Sequence, residues 1–387
     1  MLKINMLIHV NSPLSLYIHI PWCIHKCPYC DFNSHARAFS EHDYTHALLV
    51  DLEQDLPKIE KRKINTIFIG GGTPSLFTPL AIENLLAELN KRLPIEKTAE
   101  ITLEANPGTI DYERFKGFRE AGVNRLSIGI QTFDNAILKI LGRIHTQTEA
   151  MLAIEWAKAA DFTDINVDLM FGLPQQTPDK ALIDLQTVID YQPTHFSYYQ
   201  LTIEPHTAFA HAPPQLPNEE IIEEIQQVGQ DYLQQRGYKQ YEISAYAQNQ
   251  RYCQHNLNYW QFGDYLGIGA GAHSKITDEK TMVITRFSKL SQPEHYMRTA
   301  ATLDRIAQTT VLNSEDISLE FMMNTLRLNA GFTVRQFTET TGLAFDFLTQ
   351  PLKQAYQQGW LIRQGEQIYT TETGKRFLNE VLGLFLL

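Results

Sequence analysis

Three cysteines stand within eight residues, in Cys23-Ile24-His25-Lys26-Cys27-Pro28-Tyr29-Cys30, while the fourth, Cys253, lies far away. A disulfide framework spreads its cysteines through a chain, whereas a tight Cys-x3-Cys-x2-Cys group points to metal. Three thiolates can ligate three irons of a [4Fe–4S] cluster. The fourth iron is then open to a small molecule with nitrogen and oxygen donors. A structural zinc ion is the plainer alternative. It needs a fourth protein ligand, which His25 or His35 could supply.

Such a loop must be carried by a scaffold, and the rest of the chain shows which one. Short β-rich runs alternate with amphipathic stretches. The runs are Leu14–Ile20, Ile64–Ile69, Glu100–Leu103, Arg125–Ile130, Ile165–Met170 and His195–Leu201. Helical stretches fall near Tyr44–Leu56, Pro79–Arg92, Tyr112–Ala121, Thr148–Ala160 and Asp179–Tyr191. This alternation predicts βα units on a parallel sheet. Six units fall short of a closed eight-fold barrel, so the expected class is α/β, a partial (β/α)6 barrel. Its C-terminal strand ends are where a site would be built. The cysteine loop follows the first run, and Gly70-Gly71-Gly72 follows the second.

After about residue 210 the pattern changes at Pro213-Pro214 and Pro217. A helix is expected over Asn218–Gln235, β structure over Tyr238–Tyr246, and a tight loop-and-strand segment over Gly263–Gly271. That glycine run is not a dinucleotide fingerprint, because it opens no long helix after a clear strand. From about residue 305 the chain reads as helices with a late hairpin, a smaller, mainly helical, winged-helix-like C-terminal domain. The expected division is 1–212, 213–304 and 305–387.

Bulk properties exclude several function classes. The formal net charge is -11, which disfavours nucleic acid as a partner. Residues 305–387 carry seven Lys or Arg against eight Asp or Glu, so the winged-helix pattern has no basic face for DNA. No apolar run reaches the ~20 residues of a transmembrane helix. Met1–Ile20 has only Lys3 as a lysine or arginine and reads as a strand rather than a signal peptide. A cytoplasmic protein is expected. The apolar end, Val381–Leu387, reads as core packing, with a partner or membrane-surface contact as the sharper alternative.

The segments Tyr17-Ile18-His19-Ile20-Pro21-Trp22-Cys23 and Gly71-Gly72-Thr73-Pro74 resemble the HemN-like, coproporphyrinogen III dehydrogenase branch of the radical S-adenosylmethionine (SAM) proteins, over nearly the whole chain. The resemblance implies that the cysteines hold a [4Fe–4S] cluster whose open iron binds SAM. It also implies a SAM-binding set: Tyr17, Tyr29, Gly71, Gly72, Thr73, Glu104, Gln131, Arg143, Asp168, Leu201 and His273. The residue types suit the ligand. Glycines let backbone approach, Glu104 suits an ammonium, Arg143 can clamp a carboxylate, and Gln131 and Asp168 suit ribose hydroxyls. Read singly, each has a bland alternative: a turn, a surface ion pair, a buried carboxylate satisfied by neighbours.

The family divides into enzymes and carriers. The dehydrogenases carry a further cysteine two residues after the third, where this chain has Phe32, and a longer N-terminal segment; only 22 residues precede Cys23 here. Both departures match the HemW branch, whose implied role is that of a heme chaperone, with heme as cargo and apo-proteins, membrane respiratory enzymes among them, as recipients. That role implies contact with the membrane periphery; a homodimer is left open. His255-Asn256-Leu257-Asn258-Tyr259-Trp260 resembles the HNxxYW motif of that branch. Heme iron takes an axial imidazole, thiolate or phenolate, and its faces take flat apolar partners. His255 is the expected ligand, with Cys253, Tyr259 and Trp260 as further heme candidates. The rival reading is an oxygen-independent coproporphyrinogen III dehydrogenase.

Overall fold

The computed structural model describes residues 14–386. The part of the N-terminal reading that concerns residues 1–13, and Leu387, lie outside the described residues. The core is six parallel strands in sequence order: β1 (Leu14–Ile20), β2 (Ile64–Gly71), β3 (Ile95–Ala105), β4 (Arg125–Gln131), β5 (Asp164–Phe171) and β6 (His195–Gln200). Strands covered on both faces read as near-continuous apolar runs. In β1 only Tyr17 is not fully buried.

The helices between strands start where their caps dictate. Thr78 caps Pro79–Arg92, with proline in the first turn, and Thr146 and Glu149 form a capping box before Gln147–Ala159. The expected β3 was four residues long and the observed one is eleven. Its N-terminal half, Ile95–Ala99, is too polar to read as strand, and only Ile95 of it pairs, opposite Ile64, before the register shifts.

The sheet continues beyond both edges of this barrel. β7 (Lys239–Glu242) and β8 (Ala245–Ala247) form a hairpin beside β6. On the other side, β9 (Asp264–Ile268) runs parallel to β1. β10 (His273–Thr277), β11 (Ile284–Lys289) and β12 (Ile306–Val311) follow antiparallel, completing a twelve-stranded sheet. The segment from 305 was expected to be helical, yet 306–311 is the edge strand. Its residues are mostly exposed, so the apolar alternation that marks a half-buried strand is missing.

The C-terminal unit therefore begins after Val311. It has its own core around Phe321, whose ring meets Phe332 and Phe337 edge-on at 5.1 Å. Helices Ser314–Thr325, Val334–Thr341 and Thr349–Gln357 pack with β13 (Phe332–Thr333), β14 (Leu361–Gln364) and β15 (Gln367–Thr370), giving the winged-helix-like arrangement. Gly342 ends the second helix in the left-handed conformation. Val381 and Phe385 are buried in this core, while Leu386 is exposed.

A buried ionic cluster ties the sheet extension to the barrel. Asp51 and Asp55, on helix Glu41–Asp55, face Lys289 and Arg305. Arg305 donates to them at 2.8 and 2.6 Å, and Tyr296 donates to Asp51 at 2.7 Å. Two carboxylates against two cations leave no net charge in the interior, as burial requires.

Candidate functional site: a cysteine-lined cavity at the barrel mouth

The cysteine loop leaves the C-terminal end of β1. Trp22 and His35 pair as an isolated β-bridge, so the loop's two ends are pinned together. His35 N donates to Pro21 O at 2.7 Å and Cys23 N donates to His35 O at 3.1 Å. A second strap comes from β2. Gly72 N donates to Ile20 O at 2.7 Å and Thr73 N to Trp22 O at 2.8 Å. A Cβ on Gly72 would lie 2.6 Å from Trp22 O, and one on Gly71 would lie 2.6 Å from the His19 ring. The triplet is thus a close-approach surface rather than a plain turn.

Cys23, Cys27 and Cys30 line one cavity of about 420 Å³ at the C-terminal ends of the strands. All three are half-buried, and burial raises the thiols of Cys23 and Cys30 above their ordinary range. Thr73 Oγ1 donates to Cys23 Sγ at 3.4 Å, and Arg143 Nη1 reaches Cys27 Sγ at 3.8 Å. His35 has both ring nitrogens in contact with polar neighbours, Asn33 Oδ1 and Arg37, which leaves it no free donor pair for zinc.

The same cavity gathers Tyr29, Gly71, Gly72, Thr73, Glu104, Gln131, Arg143, Asp168 and Leu201 of the expected SAM-binding set. Glu104 accepts from Gly71 N at 3.0 Å. Its burial, with Asp168 nearby, pushes the carboxyl up to about 8. Asp168 accepts from Ser127 and Asn166 at 3.1 and 2.8 Å, and burial raises it too. Arg143 donates through Nη2 to Gly129 O, but its Nε is buried without a partner among the described residues. Gln131 holds a left-handed φ of 74°, unusual for a non-glycine residue, and accepts from Tyr199 OH at 2.8 Å. Strain of that kind concentrates at functional sites.

Tyr17 and His273 line an adjoining pocket of about 750 Å³ instead. Its floor is the face of the sheet extension, and it meets the first cavity at Asp31, Phe32, Gly71 and Glu104. Tyr259 and Trp260 also line it. His255 does not. It is buried, with Nδ1 on Thr66 Oγ1 and Nε2 on Tyr259 OH, both at 2.8 Å, and burial lowers it to about 3. The structure holds it as a strut between β2 and the helix Gln254–Trp260, not as an open iron ligand. Cys253 is buried beside Glu100, with its thiol pushed up to about 12, so it is no thiolate donor here.

The cavity floor contains residues that the sequence analysis did not single out: Ser127, Asn166, Ser197, Tyr199 and His195. His195 Nδ1 meets Asn166 Oδ1 at 2.6 Å and its Nε2 meets Tyr241 OH at 2.9 Å. A signal existed. Asn166 and Asp168, and His195, Ser197 and Tyr199, are polar residues two apart on apolar strands, so they share the face that points into the barrel.

The chain matches two family models, the Radical SAM superfamily over residues 17–186 and the HemN C-terminal domain over residues 312–377. It is 48% identical over 380 residues to a Haemophilus influenzae protein named heme chaperone HemW, covering 97% of this chain and 98% of that one. It is 46% identical over 376 residues to the protein of the same name in Escherichia coli, with the same coverage. A Bacillus subtilis protein of that name is 35% identical over 385 residues, 96% of this chain and 99% of that one. Among solved structures it superposes on Escherichia coli coproporphyrinogen III oxidase, HemN, with a TM-score of 0.82 over 97% of this chain and 90% of that one. At 23% identity this shows the shared fold. Radical SAM proteins as a superfamily imply a [4Fe–4S] cluster and SAM. The residues present fit both: three cysteines lining one cavity, a glycine surface that any Cβ would fill, and a buried guanidinium nitrogen without a partner among the described residues. The chain belongs to the HemW family of radical SAM proteins.

Proposed function

We propose that this chain is a heme chaperone that binds heme and passes it to apo-proteins, among them membrane respiratory enzymes. The observation that carries this reading is the near full-length similarity to proteins named heme chaperone HemW. Phe32, at the position of the dehydrogenases' further cysteine, supports it, since a phenyl ring cannot ligate iron.

In this reading Cys23, Cys27 and Cys30 hold the [4Fe–4S] cluster. When bound, the cluster offers an open iron to SAM and an electron for its cleavage. Gly71 and Gly72 admit the ligand's amino-acid end to the backbone, and Glu104 faces its ammonium. Arg143 Nε completes a carboxylate clamp beside Cys27, and Gln131 and Asp168 take the ribose hydroxyls. Tyr29 and Leu201 close the cavity wall.

The test is anaerobic reconstitution of the cluster, followed by parallel assays with heme and with coproporphyrinogen III. Stable heme binding, heme transfer to an apo-cytochrome and no protoporphyrinogen IX are expected. Turnover of coproporphyrinogen III would make the chain a dehydrogenase, and Phe32 would not carry the meaning given to it.

A further inference from the structure

The pocket beside the cysteine cavity shares Gly71 and Glu104 with it, and the rest of its lining has no role under the reading above. Its volume, about 750 Å³, lies within the ~300–1,000 Å³ range of ordinary ligand sites. Its walls include the cysteine loop through Phe32, the HNLNYW helix through Tyr259 and Trp260, β10 through His273 and β11 through Arg286. An iron porphyrin needs a donor atom for its metal and apolar surfaces for its faces.

Three observations select the donor. His255 has both ring nitrogens hydrogen-bonded inside the protein, so ligation through either would first break a buried bond. Cys253 is buried, and its thiol is held protonated. His273, by contrast, is exposed at the start of β10, and its ring has no hydrogen-bond partner among the described residues. Partial burial, with Arg286 nearby, lowers its basicity, so the imidazole is neutral and its lone pair free.

Phe32 selects the face. The residue is 58% exposed, and it lines both cavities. An exposed phenyl at the junction of two cavities is an apolar surface awaiting a flat partner. We propose that the cargo heme sits in this sheet-extension pocket, with His273 as axial ligand to its iron and Phe32 against its face, next to the cluster cavity. This rests on the heme-chaperone reading and assigns the site that reading leaves open.

The experiment titrates ferric heme into the full-length, cluster-reconstituted protein and follows the Soret band, with cluster absorbance as the folding control. His273→Ala is expected to lose the imidazole-ligated Soret spectrum, and added imidazole is expected to restore it. Phe32→Ala is expected to weaken binding about 2- to 10-fold, the loss of one aromatic contact. His273→Gln, which keeps a polar side chain at the strand end, guards against a folding defect. If the wild type binds heme and His273→Ala leaves spectrum and affinity unchanged, the site assignment is overturned while the chaperone reading stands. If the wild type binds no heme, the chaperone reading itself falls and the assignment with it.

Discussion

Glu104 provides a test in which the sign and size of the effect both follow from its surroundings. The carboxyl is deep in the cysteine cavity, accepts from Gly71 N at 3.0 Å, and titrates at about 8 instead of 4.5. Burial is the main cause and the neighbouring Asp168 adds to it. In the free protein at pH 7 only about a tenth of Glu104 is ionised, and at pH 6 about a hundredth. An ammonium placed beside it favours the carboxylate, so binding must expel the proton. Affinity for SAM should then rise about fifty-fold between pH 6 and pH 8, with nearly one proton released per ligand at pH 7. Calorimetry of the reconstituted protein in buffers of different ionisation enthalpy reads both quantities. Glu104→Gln keeps the acceptor for Gly71 but cannot titrate, so it should give a flat profile and no proton release. The same shift acts on stability. The folded-state value is raised, so the contribution is fully present below about 4.5 and is lost as pH climbs through about 8. A wild-type affinity that does not change from pH 6 to pH 8, with no buffer-dependent heat, would refute the reasoning.

The cysteines give a simpler outcome: Cys23→Ser, Cys27→Ser and Cys30→Ser should each abolish the brown [4Fe–4S] absorbance, and an intact four-iron cluster in any of them would overturn the ligand assignment. Gly72→Ala should cost about 1–3 kcal/mol in urea unfolding and reduce cluster loading, because its Cβ would press on the Trp22 carbonyl that Thr73 also binds. Gly383→Ala, with nothing within 4 Å, is the control. Lys289→Met should destabilise by about 3–5 kcal/mol, measured by denaturant midpoint, because Asp51 and Asp55 lose one of their two buried cations. A loss below 1 kcal/mol would mean that Arg305, with Lys58 on Asp55 and Tyr296 on Asp51, satisfies both carboxylates.

The barrel was legible because its strands are buried on both faces and its helices carry plain capping signals. β1 and helix Pro79–Arg92 have the boundaries their residues suggest. β12 was illegible for the opposite reason: an exposed edge strand of Ile306-Ala307-Gln308-Thr309-Thr310-Val311 has no buried face to impose a period of two. At the site, residues at strand ends were readable as a set, and most of them line one cavity. The HNLNYW segment divides: Tyr259 and Trp260 line the pocket beside the cysteine cavity, while His255 is buried. A histidine followed four residues later by a tyrosine suggests a ligand beside an aromatic wall. On the helix Gln254–Trp260, however, that spacing stacks them on one face and joins them by a hydrogen bond. His273, placed by the resemblance in the SAM-binding set, lines the adjoining pocket, and its accessibility depends on where β10 begins, which only the folded sheet fixes.

The bridge between Trp22 and His35 bears on how the metal is handled. Ordering a loop of a dozen residues has an entropic cost, and in small zinc domains metal binding offsets it, so those domains unfold on demetallation. Here main-chain hydrogen bonds at both ends of the loop, and the straps from Gly72 and Thr73, offset part of that cost through groups that are not cluster ligands. The ends of the loop are therefore held by groups other than the three thiols. Removal of the cluster by a chelator is expected to leave these main-chain bonds in place, and an unchanged far-UV circular dichroism spectrum of the chelated protein would show it.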